Sequence, residues 1–327
     1  MRPCFAGQSD AQAPAQPCLS ISRLRRVFRR TVLRLAALAC AAALLWPLTG
    51  RARTEETPPR VILVVNSYLE SSPWSSTIIS ALSRFGADRD DLDVFTEHMN
   101  VLMIGDRERL AEFERMLSDT YLTRRPDVVV LIGNPVYALL GDWLKDAWGA
   151  DIPLIVCAEE DYTGPGEAYL YPRPLAAAER QPFEDLAEPE NLTLLQAPAY
   201  LPQSIGLMRR MLPKLERIVF IGDERYVSRQ TDSDLEELIR SQFSDLEYSS
   251  YRAGDMTIDS LFDALQRIDP ERDGLLFSSW FSRRQIAGNT VLTSGSYKVI
   301  AGFLLPIFSL HYAGMEDSNL VGGYVYD

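Results

Sequence analysis

Residues 60–85 read RVILVVNSYLESSPWSSTIISALSRF and decide the fold of this chain. The stretch opens with an unbroken apolar run, Val61 to Val65, in which β-branched residues dominate. A short run of that kind is typical of a strand buried on both faces of a parallel sheet. A polar loop follows at Asn66, and an amphipathic helix follows Pro73. The order is therefore strand, polar loop, helix.

Polar and aromatic residues follow this first strand. In an open parallel sheet, ligands bind at the loops that leave the carboxyl ends of the strands. Ser67, Tyr68 and Trp74 occupy that position here, beside Asn66. They form the first part of a predicted ligand site. The alternative for Tyr68 and Trp74 is that they pack the first helix against the sheet, since buried aromatic side chains usually belong to a core.

The same alternation of apolar strands and amphipathic helices continues to residue 277. In the first half it predicts strands over 92–97, 128–132 and 152–157, and a helix over 106–122 capped by Asp106. In the second half it predicts strands over 192–195, 217–221, 246–251 and 274–277, and helices over 202–211, 228–243 and 258–268. This pattern predicts an α/β fold with two Rossmann-like lobes, each a parallel sheet with helices on both faces, and a cleft between them.

Composition divides the chain further. Residues 1–52 are expected to be a disordered start followed by a signal peptide or signal anchor, because an arginine-rich stretch precedes 14 residues from Leu35 to Leu48 without a charge. We expect lobe 1 over 53–190 and lobe 2 over 191–320. Residues 162–190 are rich in proline and acids and are predicted to be an irregular connection. The predicted location is periplasmic or extracytoplasmic, with inner-membrane anchoring if the leader is not cleaved.

Charge and motif content exclude several functions. The net charge is −12, and nine arginines lie in residues 1–53 against one acid, Asp10, so the body is strongly acidic and a nucleic-acid partner is disfavoured. Cys157 is the single cysteine beyond the leader, and His98 and His311 are far apart in sequence, which disfavours a metal site. No catalytic motif occurs, and the absence of GxGxxG disfavours a dinucleotide cofactor. We therefore expect no cofactor and no enzyme activity.

Three features of the chain resemble a known family. They are VILVVNSYLESSPWSSTIISAL over 61–82, the order of the two α/β halves, and PIFSLHYAGMEDSNLVGGYVYD over 306–327. The chain resembles the type I periplasmic binding proteins, and within them the domains found as ABC importer binding subunits and as extracytoplasmic sensor regions of bacterial, often hybrid, histidine kinases. The resemblance covers roughly residues 60–327. In that family the chain returns to lobe 1 after the VGGY strand, so residues 321–327 are expected to begin that return, in a chain that is cut short.

The resemblance implies a cleft lined by the strand exits of both lobes. Carried over residue by residue, the implied ligand-binding residues are Ser67, Tyr68, Trp74, Asn134, Pro135, Glu159, Glu160, Asp223, Tyr226, Ser279, Trp280 and Ser309. Several have a structural alternative. Asn134 before Pro135 suits a helix start, Glu159 and Glu160 suit a solvated strand exit, and Asp223 suits a tight turn.

These residues favour one function and leave others open. The expected function is the sensory input of a two-component histidine kinase, in which a small molecule is captured between the lobes by hinge closure. The alternative is the substrate-binding subunit of an ABC importer, which would work with a permease. An enzyme on the same fold would use Glu159, Glu160 and Asp223 as its acids. For a binding domain, those acids favour an amino acid or another solute that carries an amine.

Overall fold

The computed structural model describes residues 58–70, 72–188, 191–197, 200–286, 289–293, 303–310 and 320–323. Pro58–Asp327 forms one compact unit. The elements in chain order are β1 (Arg60–Asn66), α1 (Pro73–Ala87), β2 (Leu92–His98), α2 (Val101–Ile104), α3 (Arg107–Thr120), β3 (Val128–Ile132), α4 (Asn134–Trp148), β4 (Leu154–Ala158), β5 (Tyr162–Thr163), α5 (Gly166–Leu170), β6 (Gln181–Pro182), α6 (Phe183–Ala187), β7 (Leu192–Gln196), α7 (Leu201–Met211), β8 (Arg217–Gly222), α8 (Tyr226–Gln242), β9 (Glu247–Arg252), α9 (Ile258–Leu265), β10 (Asp273–Phe277), β11 (Ser282–Ile286), β12 (Asn289–Thr293) and β13 (Ile307–Ser309).

The first lobe is built on a five-stranded parallel sheet with the order β2-β1-β3-β4-β7. Alternate residues of its strands face opposite sides, so each apolar strand supplies two cores. Leu63 and Leu131 pack with α3 and α4 on one face. Val64 and Val130 pack with α1 on the other. The predicted helices therefore cover both faces of this sheet.

The second lobe repeats the arrangement around a four-stranded parallel sheet with the order β13-β10-β8-β9. Ile218 and Phe220 of β8 face α7 and α8. Val219 and Ile221 face α9. The fold class predicted from the sequence, two parallel sheets with helices on both faces, is confirmed by these two sheets.

Two assignments along the chain differ from the sequence-based expectation. The strand over 192–195 was expected to open lobe 2, yet β7 pairs in parallel with β4 and forms the edge of the first sheet. The sequence of so short a strand does not indicate which sheet the strand joins. Residues 321–327 were expected to begin the return to lobe 1. Of these the structure describes 321–323, and Gly322 forms a parallel bridge with Phe308 of β13, beside the second sheet.

The connection over 162–188 is ordered by short elements. β5 and β6 pair in antiparallel fashion, and α5 and α6 lie on either side of a single 3-10 turn over Ala177–Glu179. The segment packs against α8 of the second lobe, because Leu175 N–H donates to Gln230 Oε1 at 2.8 Å and Arg180 pairs with Asp234 at 2.9 Å. It therefore joins the two lobes as well as connecting strands.

The predicted leader and His311 lie outside the described residues. Within the residues that are described, no helix is both long enough and apolar enough to cross a bilayer.

Candidate functional site

The loop that leaves β1 is held by its own side chains. The Asn66 amide donates to Tyr68 O at 3.2 Å, and Asn66 Oδ1 accepts from Tyr68 N–H at 3.1 Å, which closes a local turn. Ser67 Oγ accepts from Val136 N–H at 3.0 Å and satisfies a free donor at the start of α4. Asn66 and Ser67 thus fix the backbone of this loop, and the Tyr68 side chain extends from it toward the exit of β4.

Gly133, between β3 and α4, brings these residues close together. Its φ of 97° is a conformation that glycine adopts readily and other residues do not. A Cβ atom there would lie 2.8 Å from Ser67 Oγ and 2.9 Å from Tyr68 Oη. The missing side chain is what allows the β1 loop to pack against the start of α4.

Asn134 is fully buried beneath the β4 exit, and its side chain bonds to the loop that follows β4. Its amide nitrogen donates to Glu160 O at 3.2 Å and to Tyr162 O at 2.7 Å. Its Oδ1 accepts from Glu159 N–H at 2.9 Å and from Glu160 N–H at 3.4 Å. These bonds give Asn134 a structural role, because the side chain shapes the loop that carries the two glutamates. Its ligand contact stays a prediction.

Two glutamates, Glu159 and Glu160, lie at the exit of β4, and the pKa values of their carboxyl groups are raised. Tyr68 Oη donates to Glu159 Oε1, which joins the exits of β1 and β4. Both residues keep some exposure, but Glu159 Oε2 and Glu160 Oε2 are sealed from solvent and have no hydrogen-bond partner among the described residues. Burial raises the pKa of the Glu159 carboxyl. Burial and the neighbouring Glu159 raise the pKa of Glu160 well above its usual range.

The exit of β8 is organised around Asp223. Its buried carboxylate accepts from Arg225 N–H at 2.9 Å and from Arg225 Nε at 3.1 Å, and it accepts from Phe281 N–H at 3.1 Å. The Arg225 guanidinium lies 4.3 Å from the centre of the Phe281 ring. The expectation that Asp223 would attract an amine does not fit this arrangement, because Arg225 already neutralises the carboxylate.

Tyr226, the first residue of α8, meets the first lobe directly. Its ring lies 4.1 Å from that of Tyr169 in α5, and both side chains are buried. Ala168 and Leu175 complete this small core between the lobes. Burial, followed by the charge of Glu160, raises the pKa of Tyr226. The β4 exit and the start of α8 therefore lie close together.

A cavity lies where the two sets of strand exits meet. With its open mouth it holds about 480 Å³. Its lining comes from the β1 loop, the start of α2, the start of α4, the start of α8 and the β10 exit: Ser67, Tyr68, Leu69, Ser72, Asn100, Val101, Leu102, Pro135, Arg225, Tyr226, Val227 and Phe281. Four of the predicted site residues, Ser67, Tyr68, Pro135 and Tyr226, are among them.

The two predicted tryptophans serve the cores instead. Trp280 is 3% exposed and packs with α9 below the second sheet. Trp74, in α1, packs against the first sheet and meets the Tyr68 ring edge-on, at 6.0 Å between centroids. The expected stacking surface of these two residues does not line the cavity. Their large apolar rings gain more from burial beside the sheets than from exposure at its mouth.

The remaining predicted residues lie near the second sheet. Ser279 is buried after β10, and its Oγ has no hydrogen-bond partner among the residues described. Ser309 ends β13, where its N–H donates to Gly322 O at 2.9 Å. Neither residue lines the cavity. They remain predicted ligand contacts without a test.

Several cavity residues were not predicted. Arg225 and Phe281 each stand next to a predicted residue, and the strand-exit rule that selected Tyr226 and Trp280 reaches them with a shift of one position. Asn100 follows the exit of β2, which was left out, and it has a left-handed backbone with φ 47°. Within the described part of the chain, no group of three or more His, Cys, Asp or Glu side chains is placed to hold a metal ion.

Comparisons with known proteins identify similar folds. No protein-family profile and no curated protein matches the sequence. Among solved structures, the chain is similar to the ABC domain in complex with L-Trp from Streptococcus pneumonia, with 12% identity and a TM-score of 0.44, covering 76% of this chain and 73% of that one. It is similar to a carbohydrate transporter solute-binding protein from Agrobacterium Radiobacter in complex with D-arabinose, with 10% identity and a TM-score of 0.44, covering 77% and 75%.

A third similar structure is a fatty acid ABC transporter substrate-binding protein from Thermomonospora curvata. The identity is 9% and the TM-score 0.46, with 80% of this chain and 58% of that chain covered. At these identities and TM-scores, no ligand and no partner carries over to this chain.

Proposed function

We propose that this chain is an extracytoplasmic binding domain that holds a small molecule between its two lobes. One observation carries the proposal: the cavity is lined by strand exits of both sheets, with Tyr68 and Pro135 from the first and Arg225, Tyr226 and Phe281 from the second. A ligand that contacts both linings favours the conformation in which the lobes meet, which is the basis of hinge closure.

The chemistry of the lining suits binding better than catalysis. Tyr68 and Tyr226 supply flat apolar surface with a polar end, and Ser67 and Asn100 supply short polar groups. Of the acids that an enzyme would use, Asp223 is paired with Arg225, and neither Glu159 nor Glu160 is among the residues that line the cavity. We therefore propose Ser67, Tyr68, Pro135, Arg225, Tyr226 and Phe281 as the ligand contacts.

A blocking substitution tests the proposal. Val227 lines the cavity, whereas Glu236 is exposed on the same helix. A V227W variant places an indole in the cavity, and an E236W variant adds the same side chain outside it. Thermal shift and calorimetry against amino acids, amines and sugars should find a ligand that binds the wild type and E236W equally and V227W about tenfold or more weakly. A ligand that binds V227W unchanged lies elsewhere, and the proposal then fails.

Two physiological roles use such a domain: the sensory input of a histidine kinase and the binding subunit of an ABC importer. The NSY and SSPW residues at the start of the domain and VGGYVYD at its end support the sensor role by resemblance. The similar structures named above include transporter binding proteins, which are in line with the importer role, and at TM-scores below 0.5 they do not decide between the two. The sequence that follows residue 327 in the gene does: a membrane helix with a kinase core supports the sensor, and adjoining permease genes support the importer.

A further inference from the structure

We infer that the ligand is a small organic cation whose N–H groups are received by Glu159 and Glu160 at the β4 exit. The inference rests on the proposed function and names the chemical class of the ligand. Its starting point is a pair of carboxylates, each with one oxygen that is sealed from solvent and has no hydrogen-bond partner among the described residues. Buried polar atoms in native proteins are almost always bonded, so these two carboxyl oxygens require a partner.

The charges around the pair do not supply that partner. Arg225 is held by Asp223 at 3.1 Å, and Arg180 is held by Asp234 at 2.9 Å. Each of these acids therefore has its own arginine. Among the described residues, Glu159 and Glu160 have no such ion pair, so each carboxyl is costly to ionise in this poorly solvated place unless a cation neutralises it.

The hydroxyl groups around the pair indicate what kind of cation fits. Tyr162 Oη is buried without a hydrogen-bond partner in the described structure, and so is the hydroxyl of Tyr169, whose side chain is 0% exposed. Burial raises the pKa of Tyr169, and interactions with the Thr163 and Tyr226 side chains lower it. Each free oxygen can accept a hydrogen bond, and the missing component is a group with several donors and a positive charge. An ammonium group has three donors and no acceptor.

The aromatic rings nearby favour the same class. The Tyr169 and Tyr226 rings lie 4.1 Å apart beside Glu160, and the charges of Glu160 and of these tyrosines influence one another. Tyr68 stands at the cavity wall and is bonded to Glu159. Tyrosine faces attract ammonium groups, and a cluster of them with carboxylates is a known way to recognise amines. Glu159 and Glu160 do not line the cavity themselves, so the inferred cation would reach them past Tyr68.

The test uses the full chain at pH 8 with 1,4-diaminobutane, agmatine and L-lysine as cations, and butane-1,4-diol and D-arabinose as neutral compounds. The variants are E159Q/E160Q and, as control, E112Q at an exposed acid of α3. Calorimetry should show that at least one cation binds the wild type and E112Q alike, and the double variant about tenfold or more weakly. The inference is overturned if no cation binds, or if cation binding is the same in the double variant.

The neutral compounds separate this inference from the proposed function. Suppose that a neutral compound binds the wild type and E159Q/E160Q equally but does not bind V227W, and that no cation behaves as expected. The cavity is then a binding site, as proposed, but the inference of a cationic ligand is overturned. If V227W binds none of the ligands, and E159Q/E160Q loses only the binding of cations, the results support both the proposed function and the inference of a cationic ligand.

The ligand-free protein gives a second readout. Removal of two buried carboxyl groups that are costly to ionise should raise the Tm of E159Q/E160Q by about 3 °C or more at pH 8, with no change in E112Q. A fall in Tm shows that the carboxylates stabilise the native packing themselves, and this overturns the inference. A water molecule in the gap satisfies hydrogen bonds but not charge, so in that case the Tm rises while no cation binds, and the inference also fails.

Discussion

Tyr68 and Glu159, 91 residues apart, are joined by a hydrogen bond from the Tyr68 hydroxyl to Glu159 Oε1. The bond links the exits of β1 and β4 across β3 of the first sheet. This bond helps to hold the Glu159 carboxylate in place. The Tyr68 ring also forms part of the cavity wall. The same side chain therefore fixes the acid and faces the ligand.

Tyr68→Phe tests the strength of this bond. The variant keeps the ring but leaves Glu159 without its donor, so we expect the free energy of unfolding to fall by about 2 kcal/mol at pH 8. Urea unfolding followed by circular dichroism measures it. Tyr171→Phe is the control, because Tyr171 is 54% exposed and should change stability little. Equal stability of Y68F and the wild type would mean that the Tyr68 bond contributes nothing to folding.

Stability should depend on pH through Glu160. Burial, Glu159 and Asp234 raise the pKa of its carboxyl, and Arg180 opposes them. The surrounding tyrosines Tyr162, Tyr169 and Tyr226 stay neutral over the same range, since their own pKa values are raised. A raised pKa means that the folded protein holds the proton more tightly than the unfolded chain. Its stabilising effect is therefore complete below the unfolded value and is lost as pH rises through the folded value.

Urea unfolding between pH 4.5 and pH 8 checks this dependence. We expect the free energy of unfolding of the wild type to fall as pH rises, and that of Glu160→Gln to fall less, because glutamine does not titrate. Glu112→Gln should follow the wild-type curve, since Glu112 is exposed. A parallel pair of curves for wild type and E160Q contradicts the prediction.

Asn134→Ala should be among the more damaging polar substitutions in the first lobe. It removes two donors and one shared acceptor from a fully buried loop, and it leaves Glu160 O and Tyr162 O without that donor. We expect a loss of about 3 kcal/mol in the free energy of unfolding. Gln242→Ala, at an exposed amide near the end of α8, is the control. If N134A unfolds at the urea concentration of Q242A, the bonds to Asn134 are not needed for the β4 exit.

The fold was largely predictable because buried parallel strands have a strong local pattern. Val128–Ile132 and residues 218–221 are continuous apolar runs, and Asp106 caps α3 as predicted by accepting from Arg109 N–H. The partner of a strand is set by long-range packing, and for this reason β7 was assigned to the wrong sheet. The ion pair between Arg180 and Asp234 of α8 could not be predicted either, because it also depends on long-range packing.

The site was predictable in position but not in composition. The strand-exit rule found Ser67, Tyr68 and Tyr226, because a parallel sheet brings its carboxyl ends together. The rule does not tell which way a side chain turns. Trp280 turns into the core while the next residue, Phe281, faces the cavity. Adjacent residues compete for the same exit, and only packing decides between them.

Gly133→Ala should disturb the fold and the site together. The backbone there has φ 97°, and a methyl group would lie under 3.0 Å from Ser67 Oγ and Tyr68 Oη. We expect the free energy of unfolding to fall by about 3 kcal/mol, from backbone strain and from displacement of the β1 loop. Calorimetry with any ligand that V227W loses should show weaker binding, since Tyr68 is pushed out of place.

Gly206→Ala is the matched control for that substitution. Gly206 lies within α7, where nothing stands within 4 Å of a new Cβ atom. Alanine is favoured over glycine in a helix, so G206A should raise the free energy of unfolding by about 0.5–1 kcal/mol and leave binding unchanged. If G133A lowers the free energy of unfolding and G206A raises it, the effect of G133A is due to the position of Gly133 and not to the replacement of a glycine as such. If G133A is as stable as G206A, then the close approach of the β1 loop to α4 does not hold the site.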